Sequence, residues 1–319
     1  MLDFYLGLLG ALLSVDHQEK IFSLSSDDSY AIVRQIIGGR NVYLRNISRS
    51  LPPVPIPSYR LPPAVTAEAG VVVDVASGAV LWEKNSNTPR PIASLTKLMT
   101  AIVVANARPD FSEPVEIIVE DNTPHITNWL NVDAGEQVTR GDLLAASLMD
   151  SMNNAARALA RSIGIPADQF VAQMNSTATE LGMRSTTFTD VTGLDPGNVS
   201  TASDLTLLVS RAFTFSRIRD AVLRRSYVLS TVNTHRSIRI GTTNKLLGSP
   251  EFTFIGAKTG YLDEAGYTYA ADVTQNKHEL IVVLLGASTD QNRFQDARKL
   301  VDWAFTSERW LPIFTSVPK

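Results

Sequence analysis

A serine and a lysine, Ser94 and Lys97, stand three residues apart at the start of an apolar-periodic segment. Residues at this spacing project from neighbouring points on one helix surface, so the hydroxyl and the amine would lie side by side. A serine hydroxyl becomes a nucleophile when a nearby base takes its proton, and a lysine amine is such a base when burial lowers its pKa. The pair therefore predicts a serine–lysine centre for acyl transfer, although a helix cap beside a solvated lysine would also explain it.

The residues around this pair predict the helix that would hold it. Pro91 comes just before the helix, where the chain should be extended. Unpaired backbone N–H groups at the helix start would favour negative charge developing at Ser94. One face of the helix should be buried, because apolar residues recur there at helical spacing. These residues are Leu95, Leu98, Met99, Ile102 and Val103.

Composition limits the classes of function. The chain has 319 residues, 44% of them hydrophobic, which is enough for one large domain or two small ones. A net charge of −3 argues against a nucleic-acid-binding protein. The chain has no cysteine, which excludes disulfides, thiol catalysis and cysteine-ligated metals. None of the four histidines has metal-ligand spacing to another, so we expect no metal and no cofactor.

The N-terminal segment Phe4–Val15 is a short run of apolar and small residues. It is shorter than the roughly 20 residues that span a bilayer, and it has the length of the apolar region of a secretory signal. Asp3 precedes it, however, and no lysine or arginine comes before Lys20. We interpret the run as a truncated signal or membrane anchor, with an ordinary amphipathic helix as the alternative.

Three parts of the chain differ in composition. Residues 1–50 form an N-terminal extension in which Tyr30–Ile37 could be a helix or a strand. Residues 51–65 are rich in proline, which is typical of an extended, semi-rigid linker. Residues 66–310 then form the folded domain.

Strand-type patterns occupy both ends of this domain, and helix-type patterns occupy its middle. The simplest layout is a sheet assembled from both chain ends and covered by the first and last helices, with a helical insertion of about residues 94–225 beside it. The predicted strands are Gly70–Val75, Ala79–Glu83, Ser226–Val232, Ser237–Ile240, Phe252–Lys258, Gly266–Val273 and Leu280–Leu285. The predicted helices begin at Ser94, span Thr139–Met149, Ala155–Ser162 and Pro166 to about Gly182, begin again at Thr201, and span Gln291–Phe305.

Two further motifs follow Ser94 and Lys97 along the chain. Ser151-Met152-Asn153 lies in the loop between two predicted helices, and Lys258-Thr259-Gly260 lies at the end of a predicted strand. Ser-x-x-Lys, Ser-x-Asn and Lys-Thr-Gly, in this order, are the motifs shared by penicillin-binding proteins and class A β-lactamases. Each is weak by itself, but their order and placement make coincidence improbable.

Residues 66–305 resemble the low-molecular-mass D-alanyl-D-alanine carboxypeptidases among the penicillin-binding proteins. The likeness extends to three flanking segments, PIASLTKLMTA, TTFTDVTGLDPGNVSTASDL and AKTGYLDEAGYTYA. The resemblance implies an α+β fold of the DD-peptidase and β-lactamase type, in which an antiparallel sheet flanked by helices carries an all-helical subdomain. It also implies a serine acyl-enzyme mechanism, peptidoglycan stem peptides ending in D-Ala-D-Ala as substrates, and β-lactams as covalent inhibitors. Such substrates place the protein outside the cytoplasm.

The resemblance also implies a role for each motif residue. Ser94 would attack the carbonyl between the two D-alanines, and Lys97 would accept its proton. Ser151 would relay a proton to the leaving amine, and Asn153 would hold both Lys97 and the amide carbonyl of the substrate.

The third motif and the residue after it would bind the substrate. Lys258 and the hydroxyl of Thr259 would bind the terminal carboxylate, which selects chain ends. Gly260 would allow close approach of the strand. The backbone N–H groups of Ser94 and Tyr261 would form the oxyanion hole.

Three other functions use related features. A class A β-lactamase needs a deacylating glutamate, and only Glu180 and Glu251 lie between the second and third motifs. The second motif also reads Ser-Met-Asn rather than Ser-Asp-Asn, which disfavours that function. A D,D-endopeptidase acting on peptidoglycan cross-links would carry the same motifs. A non-catalytic cell-wall-binding protein would have lost Ser94 or Lys97, and both are present.

Overall fold

The computed structural model describes the backbone of residues 32–37 and 40–45, and residues 52–56, 61–122 and 128–310 in full. The predicted N-terminal signal or anchor lies outside these residues. Within the described part, seven α-helices follow in chain order: α1 (Thr96–Asn106), α2 (Arg140–Met149), α3 (Asn153–Arg161), α4 (Ala167–Glu180), α5 (Ala202–Ala212), α6 (Ser216–Val222) and α7 (Asp290–Ser307).

The strands of the described part are mostly short, apart from three long ones near the C-terminus. They are β1 (Ile32–Ile37), β2 (Arg40–Arg45), β3 (Val54–Pro55), β4 (Ala69–Asp74), β5 (Val80–Lys84), β6 (Arg90–Pro91), β7 (Pro114–Glu116), β8 (Gln137–Thr139), β9 (Val199–Ser200), β10 (Ser226–Ser230), β11 (Ser237–Gly241), β12 (Thr253–Leu262), β13 (Gly266–Gln275), β14 (His278–Ala287) and β15 (Glu308–Arg309).

A five-stranded antiparallel sheet joins the two ends of the domain, as predicted. Its strand order is β12-β13-β14-β4-β5. The N-terminal hairpin meets the C-terminal strands where β4 pairs with β14, with Val71 opposite Val283 and Val73 opposite Ile281. The side chains of β14 are buried from Leu280 to Ala287, which is the pattern of a strand covered on both faces.

Helices cover both faces of this sheet, but the first helix is not one of them. Helix α7 packs on one face, and α5 packs on the other. Helix α1 packs instead against α5, α3 and α4. Every residue of α1 from Thr96 to Val104 is buried, and a helix buried on all sides becomes the centre of a helical layer rather than the cover of a sheet.

The strands β10 and β11 were predicted to continue the strand series, but they pair only with each other. The ribbon alternates in burial, since Leu229 and Ile240 are buried and Val228 is exposed. The two buried side chains belong to the same hydrophobic cluster as the helical residues Leu148 and Leu208. The ribbon therefore attaches its apolar face to the helical region and leaves the other face to solvent.

Strand β12 is longer than predicted and begins a residue later. The prediction ended it at Lys258, whereas pairing with β13 continues until Leu262 faces Gly266. The motif Lys258-Thr259-Gly260 therefore lies within an edge strand and not at its end. Ladder hydrogen bonds to β13 hold its backbone through the motif.

The proline-rich segment contains a point of attachment. Val54 and Pro55 pair with Arg309 and Glu308 after helix α7, and the Ile56 N–H donates to the Ser307 carbonyl at 3.0 Å. Proline at an edge position is compatible with such pairing, because an edge strand can spare one N–H donor.

Candidate active site

The chain enters the site through a strained turn ahead of α1. Strand β6 is followed by a 3-10 turn, Ala93–Leu95, which leads directly into α1. Ser94 therefore lies in a 3-10 turn and not in the first turn of the α-helix. Ala93 has a φ of +49°, a conformation that costs an alanine roughly 1–3 kcal/mol and is typical of functional sites.

The amine of Lys97 is buried and surrounded by three oxygens. Its Nζ lies 2.9 Å from Ser94 Oγ, 2.8 Å from Asn153 Oδ1 and 2.6 Å from the Thr192 carbonyl oxygen. The side chain has no exposed surface. Burial lowers the pKa of Lys97 to about 7, while the charge of Asp190 raises it and that of Arg157 lowers it further. A large fraction of the amine is therefore neutral near pH 7.

These three contacts decide what the neutral amine does. A neutral amine has two N–H donors and one lone pair that accepts. The Asn153 Oδ1 and Thr192 carbonyl oxygens can only accept, so they take the two N–H groups. Ser94 is the one partner with a proton to give, and its hydroxyl then points at the lone pair.

A second amine and hydroxyl lie close together on the other side of the site. Lys258 Nζ donates to Ser151 Oγ at 2.8 Å and to the Thr259 carbonyl at 2.8 Å. Burial lowers the pKa of Lys258 well below its ordinary value, and the charges of Lys97 and Arg293 lower it further. Ser151 has a φ of +63°, which turns the chain between α2 and α3.

The strand β12 passes directly beside the serine. A Cβ placed on Gly260 would lie 2.9 Å from the Ser94 backbone nitrogen and 2.5 Å from Thr268 Oγ1. Only glycine allows this approach. The neighbouring Tyr261 is half exposed, and its ring centroid lies 4.4 Å from that of Tyr267. The three motifs therefore meet within one site.

One protein family matches most of this chain. Residues 58–289 match the D-alanyl-D-alanine carboxypeptidase family. The chain belongs to this family. Its members are serine-type hydrolases, and the family covers most of the described domain.

Within this family, the chain is similar to both endopeptidases and carboxypeptidases. It is 30% identical over 259 residues to a D-alanyl-D-alanine endopeptidase of Pseudomonas aeruginosa, covering 81% of this chain and 84% of the relative. It is 35% identical over 253 residues to D-alanyl-D-alanine carboxypeptidase DacC of Escherichia coli, covering 76% of this chain. The match spans 62% of that carboxypeptidase, less than two thirds of its length.

Among solved structures, a DD-transpeptidase of Streptomyces has a similar fold. The TM-score is 0.73 at 29% identity, over 77% of this chain and 100% of the other. The sheet with its helical layer is therefore the DD-peptidase fold that the resemblance implied.

Sequence reasoning missed several polar residues that support the family's motif residues. Thr192 offers its carbonyl to Lys97, Thr243 Oγ1 lies 2.6 Å from Thr259 Oγ1, and Arg293 donates to the Gly260 carbonyl at 2.8 Å. Thr192 lies within a segment that the resemblance already included, so its turn sequence was a usable signal. Thr243 and Arg293 had no such local signal.

The described part of the chain has neither a cluster of metal ligands nor a helix that could span a membrane. No group of three or more metal-ligating side chains occurs among residues that the structure describes. In the same residues, no helix has both the length and the apolar character needed to cross a membrane.

Proposed function

We propose that this family member is a serine-type D-Ala-D-Ala carboxypeptidase in which Ser94 is the nucleophile and Lys97 its base. The observation that carries the proposal is the set of three contacts at Lys97 Nζ. Two of them, to Asn153 and Thr192, can only accept, so the neutral amine accepts the proton of Ser94. The substrate is a peptidoglycan stem peptide that ends in D-Ala-D-Ala.

Acylation begins when Lys97 takes the Ser94 proton and Oγ attacks the carbonyl carbon between the two D-alanines. The carbonyl oxygen becomes negatively charged and receives hydrogen bonds from the N–H groups of Ser94 and Tyr261. The close packing of Gly260 on the Ser94 nitrogen supports this assignment, since Tyr261 follows directly. Each such donor contributes about 3 kcal/mol to barrier lowering.

The leaving group departs with a proton from Ser151. Breakage of the C–N bond leaves an amine that must be protonated, and Ser151 Oγ is held by the Lys258 ammonium at 2.8 Å. Ser151 gives its proton to the amine and recovers the proton that Lys97 took from Ser94, so Lys97 is neutral again and Lys258 keeps its charge. Water then hydrolyses the ester on Ser94 and releases the shortened peptide.

The terminal carboxylate of the substrate binds to Lys258 and Thr259. An ammonium has three N–H groups, and two of those on Lys258 point at Ser151 and at the Thr259 carbonyl. The third is free to meet the carboxylate. An internal peptide bond offers no carboxylate there, so chain ends are preferred. Peptidoglycan lies outside the cytoplasm, and we place the protein there.

The proposal is tested by covalent labelling together with product analysis. A fluorescent penicillin should label the wild-type protein and leave Ser94→Ala unlabelled, with the mass increase on the peptide that contains Ser94. A diacylated L-Lys-D-Ala-D-Ala peptide should release D-alanine only with the wild-type protein. Equal labelling of both proteins would mean that another residue is the nucleophile.

A second candidate function is D,D-endopeptidase activity on cross-linked peptidoglycan. The endopeptidases of Pseudomonas aeruginosa and Escherichia coli, each 30% identical to this chain, favour it. Both activities cleave at a D-Ala carbonyl, so the same nucleophile and base serve both. Digestion of purified cross-linked muropeptides, with products resolved by mass, separates them, because only an endopeptidase releases two monomers.

Rapid β-lactam hydrolysis does not fit the positions of the two candidate glutamates. Glu180 ends helix α4 and accepts a hydrogen bond from Ser176 at 3.2 Å. Glu251 forms an ion pair with Arg298 of helix α7. We therefore expect the acyl-enzyme formed with penicillin to turn over slowly, and fast multiple-turnover hydrolysis of nitrocefin would contradict this.

A further inference from the structure

The loop that follows α4 carries a partly buried hydrogen-bond network centred on one carboxylate, Asp190. Its Oδ1 accepts hydrogen bonds from the Thr192 N–H at 3.1 Å, the Gly193 N–H at 2.6 Å and Asn198 Nδ2 at 2.6 Å. Its Oδ2 accepts from the Thr192 hydroxyl at 2.6 Å. A carboxylate that accepts four hydrogen bonds from one loop fixes the shape of that loop.

The loop contacts Lys97 and the turn that carries Ser94. The Thr192 carbonyl oxygen is the shortest of the three contacts to Lys97 Nζ, at 2.6 Å. At Gly193, with a φ of +83°, an added Cβ would lie 2.0 Å from the Ala93 carbonyl oxygen, next to Ser94. Two contacts therefore fix the position of the Thr192 carbonyl: the hydrogen bonds of the loop to Asp190, and the packing of Gly193 against the turn that carries Ser94.

Asp190 also contributes charge to a site that is otherwise positive. Asp190 on this loop raises the pKa of Lys97 and Arg157 on α3 lowers it, and the charge of Lys97 lowers the pKa of Lys258 on β12, so positive charges on these two amines disfavour each other. Arg157 and Lys258 disfavour a second positive charge, and Asp190 is the negative group that opposes them. Electrostatic effects of this kind persist in a buried site because water screens them little.

We infer that Asp190 is a positioning residue for the general base, holding the Thr192 carbonyl against Lys97 and opposing the charges of Arg157 and Lys258. The inference rests on the proposed function, since it takes Lys97 as the base. The side chain of Asp190 forms hydrogen bonds with residues of its own loop. It acts through Lys97 by fixing one acceptor of the amine and by setting the pH at which the amine becomes neutral.

The test is the pH dependence of acylation by a fluorescent penicillin in the full chain. Asp190→Asn removes the charge and keeps one acceptor oxygen for the Thr192 N–H, the Gly193 N–H and Asn198 Nδ2, while an NH2 group that can donate to the Thr192 hydroxyl replaces the other oxygen. The acid limb of the profile, in which the rate falls as the pH falls, should move to lower pH, because loss of the negative charge lowers the pKa of Lys97. Asp190→Ala removes the acceptors as well and should lower the plateau rate on the order of 10- to 100-fold, because the carbonyl is no longer held.

Two control variants keep the outcome interpretable. Arg157→Gln should move the acid limb to higher pH, opposite to Asp190→Asn. Asp195→Asn alters another carboxylate of the same loop, whose Oδ1 accepts from the Gly197 N–H at 2.7 Å, and should leave the limb in place. An acid limb that is unmoved in Asp190→Asn would overturn the inference, even where the plateau rate falls.

Failure of the inference is distinguishable from failure of the proposed function. If penicillin does not acylate the wild-type protein, the assignment of Ser94 as nucleophile and Lys97 as base is wrong. If penicillin acylates the wild-type protein with a rate that falls at low pH, and the rate of Asp190→Asn falls over the same pH range, only the role of Asp190 is wrong. That carboxylate would then be a structural support of the loop.

Discussion

At the residue scale, the proposed function depends on two buried amines that each contact a serine hydroxyl. Lys97 lies beside Ser94, and Lys258 lies beside Ser151. Burial lowers the pKa of both amines because a positive charge is poorly solvated there. The proposed roles require opposite protonation states, with Lys97 neutral and Lys258 charged. The charge on one amine disfavours the charge on the other. The carboxylate of a bound substrate would favour the charge on Lys258.

Acylation should depend on pH through Lys97. Its pKa is lowered to about 7, and only the neutral form can accept the Ser94 proton. The second-order rate constant for penicillin labelling should therefore fall about tenfold per pH unit below pH 7 and level off above it. Lys97→Arg, which stays charged, should not be labelled. A rate constant that stays level through this range would contradict the assignment of Lys97 as base.

Selection of chain ends should depend on Lys258. Replacing it by glutamine removes the cation that faces the substrate carboxylate, so kcat/KM on a D-Ala-D-Ala peptide should fall roughly 10- to 100-fold. The same peptide with a C-terminal amide should be affected less. The measurement is the ratio of kcat/KM for the two peptides, in wild type and Lys258→Gln. An unchanged ratio would place the carboxylate elsewhere.

At the element scale, the site is assembled where three chain segments meet. The 3-10 turn before α1 supplies Ser94, the junction of α2 and α3 supplies Ser151 and Asn153, and the edge strand β12 supplies Lys258. Two of these segments contain a non-glycine residue with positive φ, Ala93 and Ser151. Strain of this kind persists only where the surrounding contacts hold it. The loop of residues 189–198 provides such contacts to the turn.

The fit of this loop predicts the effect of one substitution. Gly193→Ala should disrupt the site, because its Cβ would lie 2.0 Å from the Ala93 carbonyl oxygen and its φ is +83°. We expect penicillin labelling to fall on the order of 100-fold and the free energy of unfolding to fall by more than about 1 kcal/mol.

Gly164→Ala is the matched control for that substitution. Gly164 has a φ of +75°, but an added Cβ would meet no atom within 4 Å. Backbone strain alone should then cost about 1 kcal/mol of stability and leave labelling intact. Rates of penicillin labelling and denaturant unfolding curves compare the two variants. Equal loss of labelling in both would show that packing against Ala93 does not matter.

At the scale of the whole molecule, the sheet and the helical layer share the site. Lys258 comes from the sheet, whereas Lys97, Ser151 and Asn153 come from the helical region. The ribbon β10–β11 also joins the helical region to its neighbours. Its turn contributes Arg236 and Thr234, whose side chains both donate hydrogen bonds to Glu136.

This attachment makes a prediction about stability and pH. Hydrogen bonds from Arg236, and then from Thr234 and the Asp133 N–H, lower the pKa of Glu136 to about 2 from its ordinary 4.5. A lowered folded-state pKa contributes stability above about pH 4.5, which is lost as pH falls through about 2. Glu136→Gln should therefore be less stable than wild type at neutral pH, and the difference should shrink as pH falls.

Denaturant unfolding at a series of pH values measures this difference. Glu264→Gln is the control, since Glu264 is an exposed carboxylate on the tight turn between β12 and β13. It should show no comparable loss of stability at neutral pH. A difference between wild type and Glu136→Gln that stays constant from neutral pH to pH 2 would exclude the ion pair as its source.

Local patterns in the sequence determined the elements and the motifs. The side chains of Thr139, Thr201 and Thr289 each cap a helix by accepting a hydrogen bond from the N–H three residues later. The sequence predicted that helices begin at Thr139 and at Thr201. Alternation and helical spacing are properties of neighbouring residues, so they can be identified without knowing what packs against them. The order of three short motifs was enough to indicate acyl transfer by a serine.

Only the tertiary structure decided what surrounds those motifs. Helix α1 proved central rather than superficial, and Thr192, Thr243 and Arg293 came to the site from parts of the chain distant from the residues they contact. Burial lowers the pKa of Lys97, and burial depends on every element packed around it. Contacts between residues distant in the chain leave no periodic signal, and a buried amine acquires its proton affinity only when the whole domain has closed around it.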